Sequence, residues 1–225
     1  MISLNLIFDE NLIKTTLKEF NSPSRISMRE KDFIKSAVLF LIVPYNDTPY
    51  DLVLIRRTKR KNDKHGGEMS FPGGRFDAKL DKTFLDTALR ETEEELGIPK
   101  SKIILLGCLD DHITPKGFII TPFVGYVDEY QKMEKQDEEV KEIVRIPIEF
   151  FANKKNYKET IYKLKNDLLG VGKFNYIAPN KENYVIFGAT SHIIVNYIDR
   201  VYNLGLMTPG VRRLRPEDIN ETIVK

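Results

Sequence analysis

Arg90-Glu91-Thr92-Glu93-Glu94-Glu95-Leu96-Gly97-Ile98 is the most informative stretch of this 225-residue chain. At about 100° per residue, a helix through it gathers Glu91, Glu94 and Glu95 within an arc of roughly 100°. Leu85, Ala88, Leu89, Thr92 and Leu96 fall on a separate, adjacent arc. The apolar arc can dock on a sheet while the three carboxylates point together into a neighbouring cleft. Like charges at i,i+3 and i,i+4 cost a helix about 0.2–0.5 kcal/mol per pair. These also sit toward the C-terminal end, where the helix dipole is already negative. The pattern therefore asks for a positive partner, and clustered carboxylates suit hard cations such as Mg²⁺. A solvated helix face carries the same composition, so the stretch alone leaves both readings open.

The residues just before it shift the balance. Phe71-Pro72-Gly73-Gly74 is a rigid turn followed by two residues free to take positive φ, so the backbone there can approach a ligand or metal closely. Taken alone, such a turn also simply joins a strand to a helix. A long helical pattern follows it, from about Asp81 to Leu96.

Working outward, Ser36–Val43 is a β-prone run too apolar for a surface strand, and Asp51–Arg57 supplies its hairpin partner. Asp9–Phe20 reads as a short amphipathic helix. Further strands are expected at Ile103–Leu109, Phe118–Asp128, Ile143–Arg145, Tyr157–Leu164, Lys173–Ile177 and Tyr184–Phe187. A helical turn is expected at Pro147–Phe151, and a last helix from about Thr190 to Asn203 ended by Gly205. Strands mixed with a few helices argue for an α+β fold, a mixed sheet between helices. With no repeat and no low-complexity linker, one domain is expected over 1–225. It carries an N-terminal helical extension (about 1–34) and a C-terminal helix with a basic tail (about 188–225).

Composition bounds the function. With 35 Lys and Arg against 33 Asp and Glu, the net charge of +2 provides no global field for nucleic acid or anionic lipid. The tail cluster Arg212, Arg213 and Arg215 lacks interleaved aromatics, which argues against nucleic-acid binding. A single cysteine, Cys108, excludes an intrachain disulfide framework and any multi-cysteine zinc site, and is most simply a core residue. No apolar run approaches the ~18 residues of a membrane span. Met1–Asn5 has no basic region and no long apolar core, so a cytoplasmic location is expected.

Together the glycine turn and the acidic helix resemble the box of the Nudix hydrolases. Arg90, Glu91, Glu94, Glu95, Gly97 and Ile98 match its C-terminal half, with Thr92 in place of an aliphatic residue. The spacing from Gly74 to Arg90 is two residues longer than the family pattern, and Asp81 is the nearest stand-in for an isolated glutamate of the box. A further resemblance, to the coenzyme A pyrophosphatase branch, rests on Val53–Thr58, Gly67, Phe71–Gly74, Ile120–Gly125 and Phe187–Thr190.

The resemblance implies a Nudix diphosphatase using Mg²⁺ or Mn²⁺. Glu91, Glu94, Glu95 and the Gly73 carbonyl would bind the metal, and Arg90 would orient a box carboxylate. Arg57, Lys64 and Gly74 would meet the substrate. The basic run Arg56, Arg57, Lys59, Arg60, Lys61, Lys64 and His65 can present cations to diphosphate oxygens, although a solvated loop has the same composition. His65 is more simply a loop residue than a proton shuttle. Glu139 is either a further ligand or base, or a solvated loop residue. The substrate implied is coenzyme A or an acyl derivative, cut to adenosine 3′,5′-bisphosphate and 4′-phosphopantetheine. Apolar positions near Phe118 and Phe187–Thr190 would receive the pantetheine arm. Other Nudix activities, on ADP-ribose or an oxidised nucleoside triphosphate, are the alternative, and a catalytically silent nucleotide sensor is the rival of a different class. A homodimer enters by analogy.

Overall fold

A computed structural model describes residues 6–59 and 66–219. The chain runs α1 (Glu10–Thr16), β1 (Ile34–Val43), β2 (Asp51–Arg57), β3 (Met69–Ser70), β4 (Gly73–Arg75), α2 (Phe84–Leu96), β5 (Ile104–Cys108), β6 (His112–Ile113) and β7 (Phe118–Tyr126). It continues through β8 (Val140–Pro147), α3 (Ile148–Ala152), β9 (Tyr157–Leu164), β10 (Asp167–Ile177), β11 (Asn183–Phe187), α4 (Gly188–Tyr202) and β12 (Val211–Arg212). One sheet is ordered β3-β2-β1-β7-β5, with β4 also on β1, β6 on β7 and β8 on β2. It is mixed: β1 runs parallel to β7, and its other pairings are antiparallel. A smaller sheet is built around β10, which pairs with β9, β11 and β12.

β1 explains why the large sheet has two covered faces. Phe40 and Ile42 enter one apolar cluster, with α4 and the small sheet; Ala37, Leu39, Leu41 and Val43 enter the other, beneath α2. Successive residues of a strand point to opposite faces. A strand buried on both faces is apolar throughout, as the run 36–43 is. The expected α+β sandwich of a mixed sheet between helices is what forms.

β1 also positions the glycine turn. Its second half pairs with β2 through Leu41–Val43, and its first half pairs with β4 through Ser36–Val38. Between them, Leu39 donates to the Pro72 carbonyl at 2.9 Å. This change of partner lays Gly73 and Gly74 across the strand beneath α2.

Several boundaries differ from the sequence expectation: β8 runs Val140–Pro147 rather than Ile143–Arg145, β10 starts at Asp167 rather than Lys173, and three helix ends move. α1 ends at Thr16 rather than Phe20, because Leu17 turns extended and Lys18 pairs with Cys108 instead. α2 starts at Phe84 rather than Asp81. Thr83 caps it and forms a capping box with Asp86, while Asp81 stands outside the helix. α4 stops on Asn203, whose φ of 53° provides the left-handed cap expected of Gly205. The short strands β6 and β12 have too few residues for any periodicity to show.

Candidate active site

The two arcs of α2 separate as the spacing predicts. Ala88, Thr92 and Leu96 are buried, and Leu85 and Leu89 pack against the same cluster. Gly97, at φ 66°, ends the helix in the left-handed region. The acidic arc is graded, not uniformly solvated: the Glu94 side chain is 56% exposed, Glu91 is 17% exposed and Glu95 is only 2% exposed.

Each carboxylate has its own restraint. Glu95 Oε2 accepts the Gly73 N–H at 2.9 Å. Arg90 Nη1 donates to Glu91 Oε1 at 2.9 Å and to Glu94 Oε2 at 3.0 Å. The rest of that guanidinium is held by Asp81, through Nε to Oδ1 at 2.8 Å and Nη2 to Oδ2 at 2.9 Å. Asp81 also accepts the Asp77 N–H and the Thr87 hydroxyl. These bonds, with Arg90's first, hold its carboxyl well below the usual carboxylate range despite its burial. Asp81, which the stretched spacing marks only as a stand-in for the box glutamate, is therefore the buried anchor of Arg90.

The glycines are sized for these contacts. A Cβ on Gly74 would overlap the Glu91 carboxylate, so only hydrogen there lets that side chain lie against the turn. Gly73 has φ 144° and faces the β1 backbone, where a side chain would meet Ala37 and Val38.

Electrostatics mark Glu95 as the buried member. Burial pushes its carboxyl up to about 8, against the Gly73 hydrogen bond and the Arg57 charge, with Glu91 and Glu139 adding like-charge repulsion. Burial also raises Glu91, partly offset by Arg90, while Glu94 and Glu139 push it the same way as burial. Glu139 thus faces the cluster and is half-buried, although its sequence context reads equally as a solvated loop. Arg57, at the end of β2, lies on the same side as Ile55, beneath α2.

Arg56 departs from the expected basic cluster. It points to the opposite face, donating to Glu182 at 3.0 Å and lying 5.9 Å from the Tyr184 ring centroid. Alternation along β2 sends it there. Arg60, Lys61, Lys64 and His65 lie outside the described residues. The basic tail is neutralised internally: Arg212 pairs with Asp167 and Asp218, and Arg213 with Glu159.

Among the described residues no three acidic, histidine or cysteine side chains stand grouped to hold an ion. The donors are nonetheless all hard oxygens. One carboxylate, Glu95, is raised in pKa by burial and by the neighbouring Glu91 and Glu139 charges, with Arg57 only partly offsetting them, and a hard cation is suited to such oxygen donors.

The architecture thus defines a mixed α+β protein that presents helix-borne carboxylates against a glycine turn. The NUDIX domain model matches residues 35–167, and the chain belongs to the Nudix family. It is 35% identical over 118 residues to the uncharacterized Nudix hydrolase NudL of Pectobacterium atrosepticum, covering 52% of this chain and 61% of that one. It is 32% identical over 161 residues to the NudL of Yersinia pestis, covering 72% of this chain and 78% of that one. The chain thus spans less than two thirds of the first of these relatives. A MutT/nudix family protein from Enterococcus faecalis aligns with a TM-score of 0.48 at 17% identity, over 80% of this chain and 66% of that one.

Proposed function

We propose that this chain is a divalent-metal-dependent Nudix diphosphatase, and that coenzyme A or an acyl-coenzyme A is its substrate. The observation that carries the hydrolase reading is Glu95. It is a buried carboxylate whose pKa is raised by burial and by the Glu91 and Glu139 charges, tied to the backbone of the glycine turn and only partly offset by Arg57.

Glu91, Glu94, Glu95 and the Gly73 carbonyl would hold Mg²⁺ or Mn²⁺, which supplies an acidified water and neutralises diphosphate oxygens. Arg57 contributes a fixed cation for the diphosphate. Its guanidinium can meet phosphate oxygens bidentately, as a lysine cannot. Arg90, clamped by Asp81, fixes the directions of Glu91 and Glu94, so it acts on the carboxylates and not on substrate. Gly74 keeps the space that Glu91 needs. Lys64 remains a proposed substrate contact.

The coenzyme A reading rests on the sequence signature around Arg57 and Phe71–Gly74. The test is product analysis after incubating the protein with Mg²⁺ and equal concentrations of coenzyme A, 3′-dephospho-coenzyme A and ADP-ribose. Formation of adenosine 3′,5′-bisphosphate and 4′-phosphopantetheine, with coenzyme A preferred, is the expected result. Equal or better use of ADP-ribose removes the coenzyme A assignment and leaves the metal chemistry standing. Failure to cleave any of these or an oxidised nucleoside triphosphate, in Mg²⁺ or Mn²⁺, removes the hydrolase reading. The protein is expected to act in the cytoplasm, as a homodimer and without nucleic acid; no described helix is long and apolar enough to cross a membrane.

A further inference from the structure

Away from the carboxylates, between the segment 20–29 and the start of α2, lies a groove of about 870 Å³. That is within the range of small-molecule sites, roughly 300–1,000 Å³. None of the box residues lines it.

A rigid anchor preforms the groove. Arg25 is buried and donates to Asp111 Oδ1 at 2.6 Å, to the Leu109 carbonyl at 3.2 Å and to the Phe20 carbonyl at 2.9 Å. Asp111 in turn accepts the Met28 N–H at 2.8 Å and the Thr121 hydroxyl at 2.8 Å. The neighbouring Asp110 accepts the Ile26 N–H at 2.8 Å. The segment 20–29 is therefore fastened over the sheet, and the space it encloses does not depend on a ligand.

The lining has a definite chemistry. Three cations, Arg25, Arg29 and Lys35, face one carboxylate, Asp111, which Arg25 already neutralises. Arg29 is exposed, and its guanidinium makes no hydrogen bond or ion pair among the described residues. Lys35 has only a long contact, 3.4 Å, to the Met28 carbonyl. Glu30 and Asp111 are the carboxylates whose charge reaches its ammonium, and partial burial lowers its pKa. A cation so desolvated attracts an anion more strongly than one in bulk water. Phe20 and Phe84 also line the groove, their rings in edge contact at 6.0 Å and both only half-buried, and the Arg25 guanidinium lies 4.8 Å from the Phe20 ring centroid. Two cations without an ion pair among the described residues, sharing a space of this size with two half-buried aromatic rings, match a ligand with an anionic end and a flat or apolar body.

We propose that this groove is a second ligand site, separate from the carboxylate cluster, for a nucleotide-sized phosphate monoester. Arg29 and Lys35 take the phosphate, and the Phe20–Phe84 wall takes the body of the ligand.

The probe is adenosine 5′-monophosphate, with adenosine and inorganic phosphate as the two partial ligands. Binding is measured by calorimetry on the full chain in EDTA, so that no metal-dependent binding at the carboxylates contributes. The nucleotide is expected to bind at least tenfold more tightly than either partial ligand. Arg29→Glu should weaken it at least tenfold and Lys35→Gln severalfold, while Glu94→Gln leaves it unchanged. Among the described residues Arg29 is bonded to nothing that its replacement would disturb, so that variant tests the site with the fold intact. No binding in EDTA, equal binding of adenosine, or an affinity untouched by Arg29→Glu would each overturn the proposal. The measurement needs no turnover, so a failure of the hydrolase reading leaves it decisive.

Discussion

Arg90 and Asp81 are joined by two hydrogen bonds, at 2.8 and 2.9 Å, and the one remaining Arg90 nitrogen holds both Glu91 and Glu94. The loop before α2 therefore sets the directions of two carboxylates through a single guanidinium. Asp81→Asn keeps the shape and removes the charge. It should lower stability by about 2 kcal/mol, the scale of charged hydrogen bonds lost, as read from urea unfolding at constant m-value. It should also lower kcat more than it raises KM, because the displaced groups are carboxylates and not substrate contacts. A stable variant with wild-type kcat would show that Arg90 needs no anchor.

Gly74→Ala isolates a steric requirement. The φ at Gly74 is one that alanine tolerates, so the added methyl acts through Glu91, whose carboxylate occupies that space. Hydrolysis should fall by at least about 100-fold, in line with displacing a group by about 1 Å. The melting temperature should change by only a few degrees. Full activity in Gly74→Ala would mean that Glu91 leaves this position during catalysis.

Single residues show how much of the fold and site is legible in the sequence. The continuous apolar run 36–43 and the 3.6-residue period of the two arcs of α2 are local patterns, and both appear in the structure, the run within β1 and the arcs on α2. Asp81 is different. Nothing local distinguishes an anchored aspartate from a loop aspartate, since its partner Arg90 lies nine positions on and outside any turn. Arg56 and Arg57 look equivalent in a basic run, and only the alternation of β2 separates them. Arg25 and Asp111, 86 positions apart, meet through the folding of the N-terminal segment onto the sheet. No pattern within either segment announces that pairing.

Acid should destabilise the protein through the histidines behind the sheet. His112 and His192 lie 5.1 Å apart, ring to ring. Burial and the Arg213 charge push His112 down to about 4, and His192 is lowered as well. His192 Nε2 also accepts the Gly172 N–H at 2.9 Å, a bond that protonation there would break. Unfolded imidazoles titrate near 6.5, so between about 6.5 and about 4 the unfolded chain binds more protons than the folded one. The histidine contribution is full above pH ~6.5 and is lost as pH falls through that window, at up to about 1.4 kcal/mol per pH unit for each imidazole. Urea titrations at pH 7, 6 and 5 should show a shallower decline for His112→Gln than for wild type. Parallel slopes would mean that the pair protonates in the fold.

Arg57→Ala tests the proposed diphosphate contact. Arg57 lies on the carboxylate side of β2, and its charge reaches Glu95. If it meets substrate, KM should rise by about tenfold or more, the worth of one charged hydrogen bond. If the contact tightens in the transition state, kcat should fall too. Unchanged kcat/KM would return Arg57 to a purely structural neighbour of Glu95.

Glu94→Gln separates metal binding from folding. The Glu94 side chain is more than half exposed and is bonded to Arg90 alone among the described residues, so glutamine should keep the helix and the core intact. What it removes is one negative ligand. A metal present at about 100 times its dissociation constant stabilises the folded state by about 2.7 kcal/mol, visible as a rise in melting temperature on adding Mg²⁺ or Mn²⁺. In Glu94→Gln that rise should shrink at least by half, while the melting temperature in EDTA stays near wild type. Hydrolysis at saturating metal should drop by orders of magnitude, because the ligand charge also sets how the bound water is acidified. A variant that turned over substrate at the wild-type rate, with an undiminished metal shift, would place the cation on other residues than the helix carboxylates.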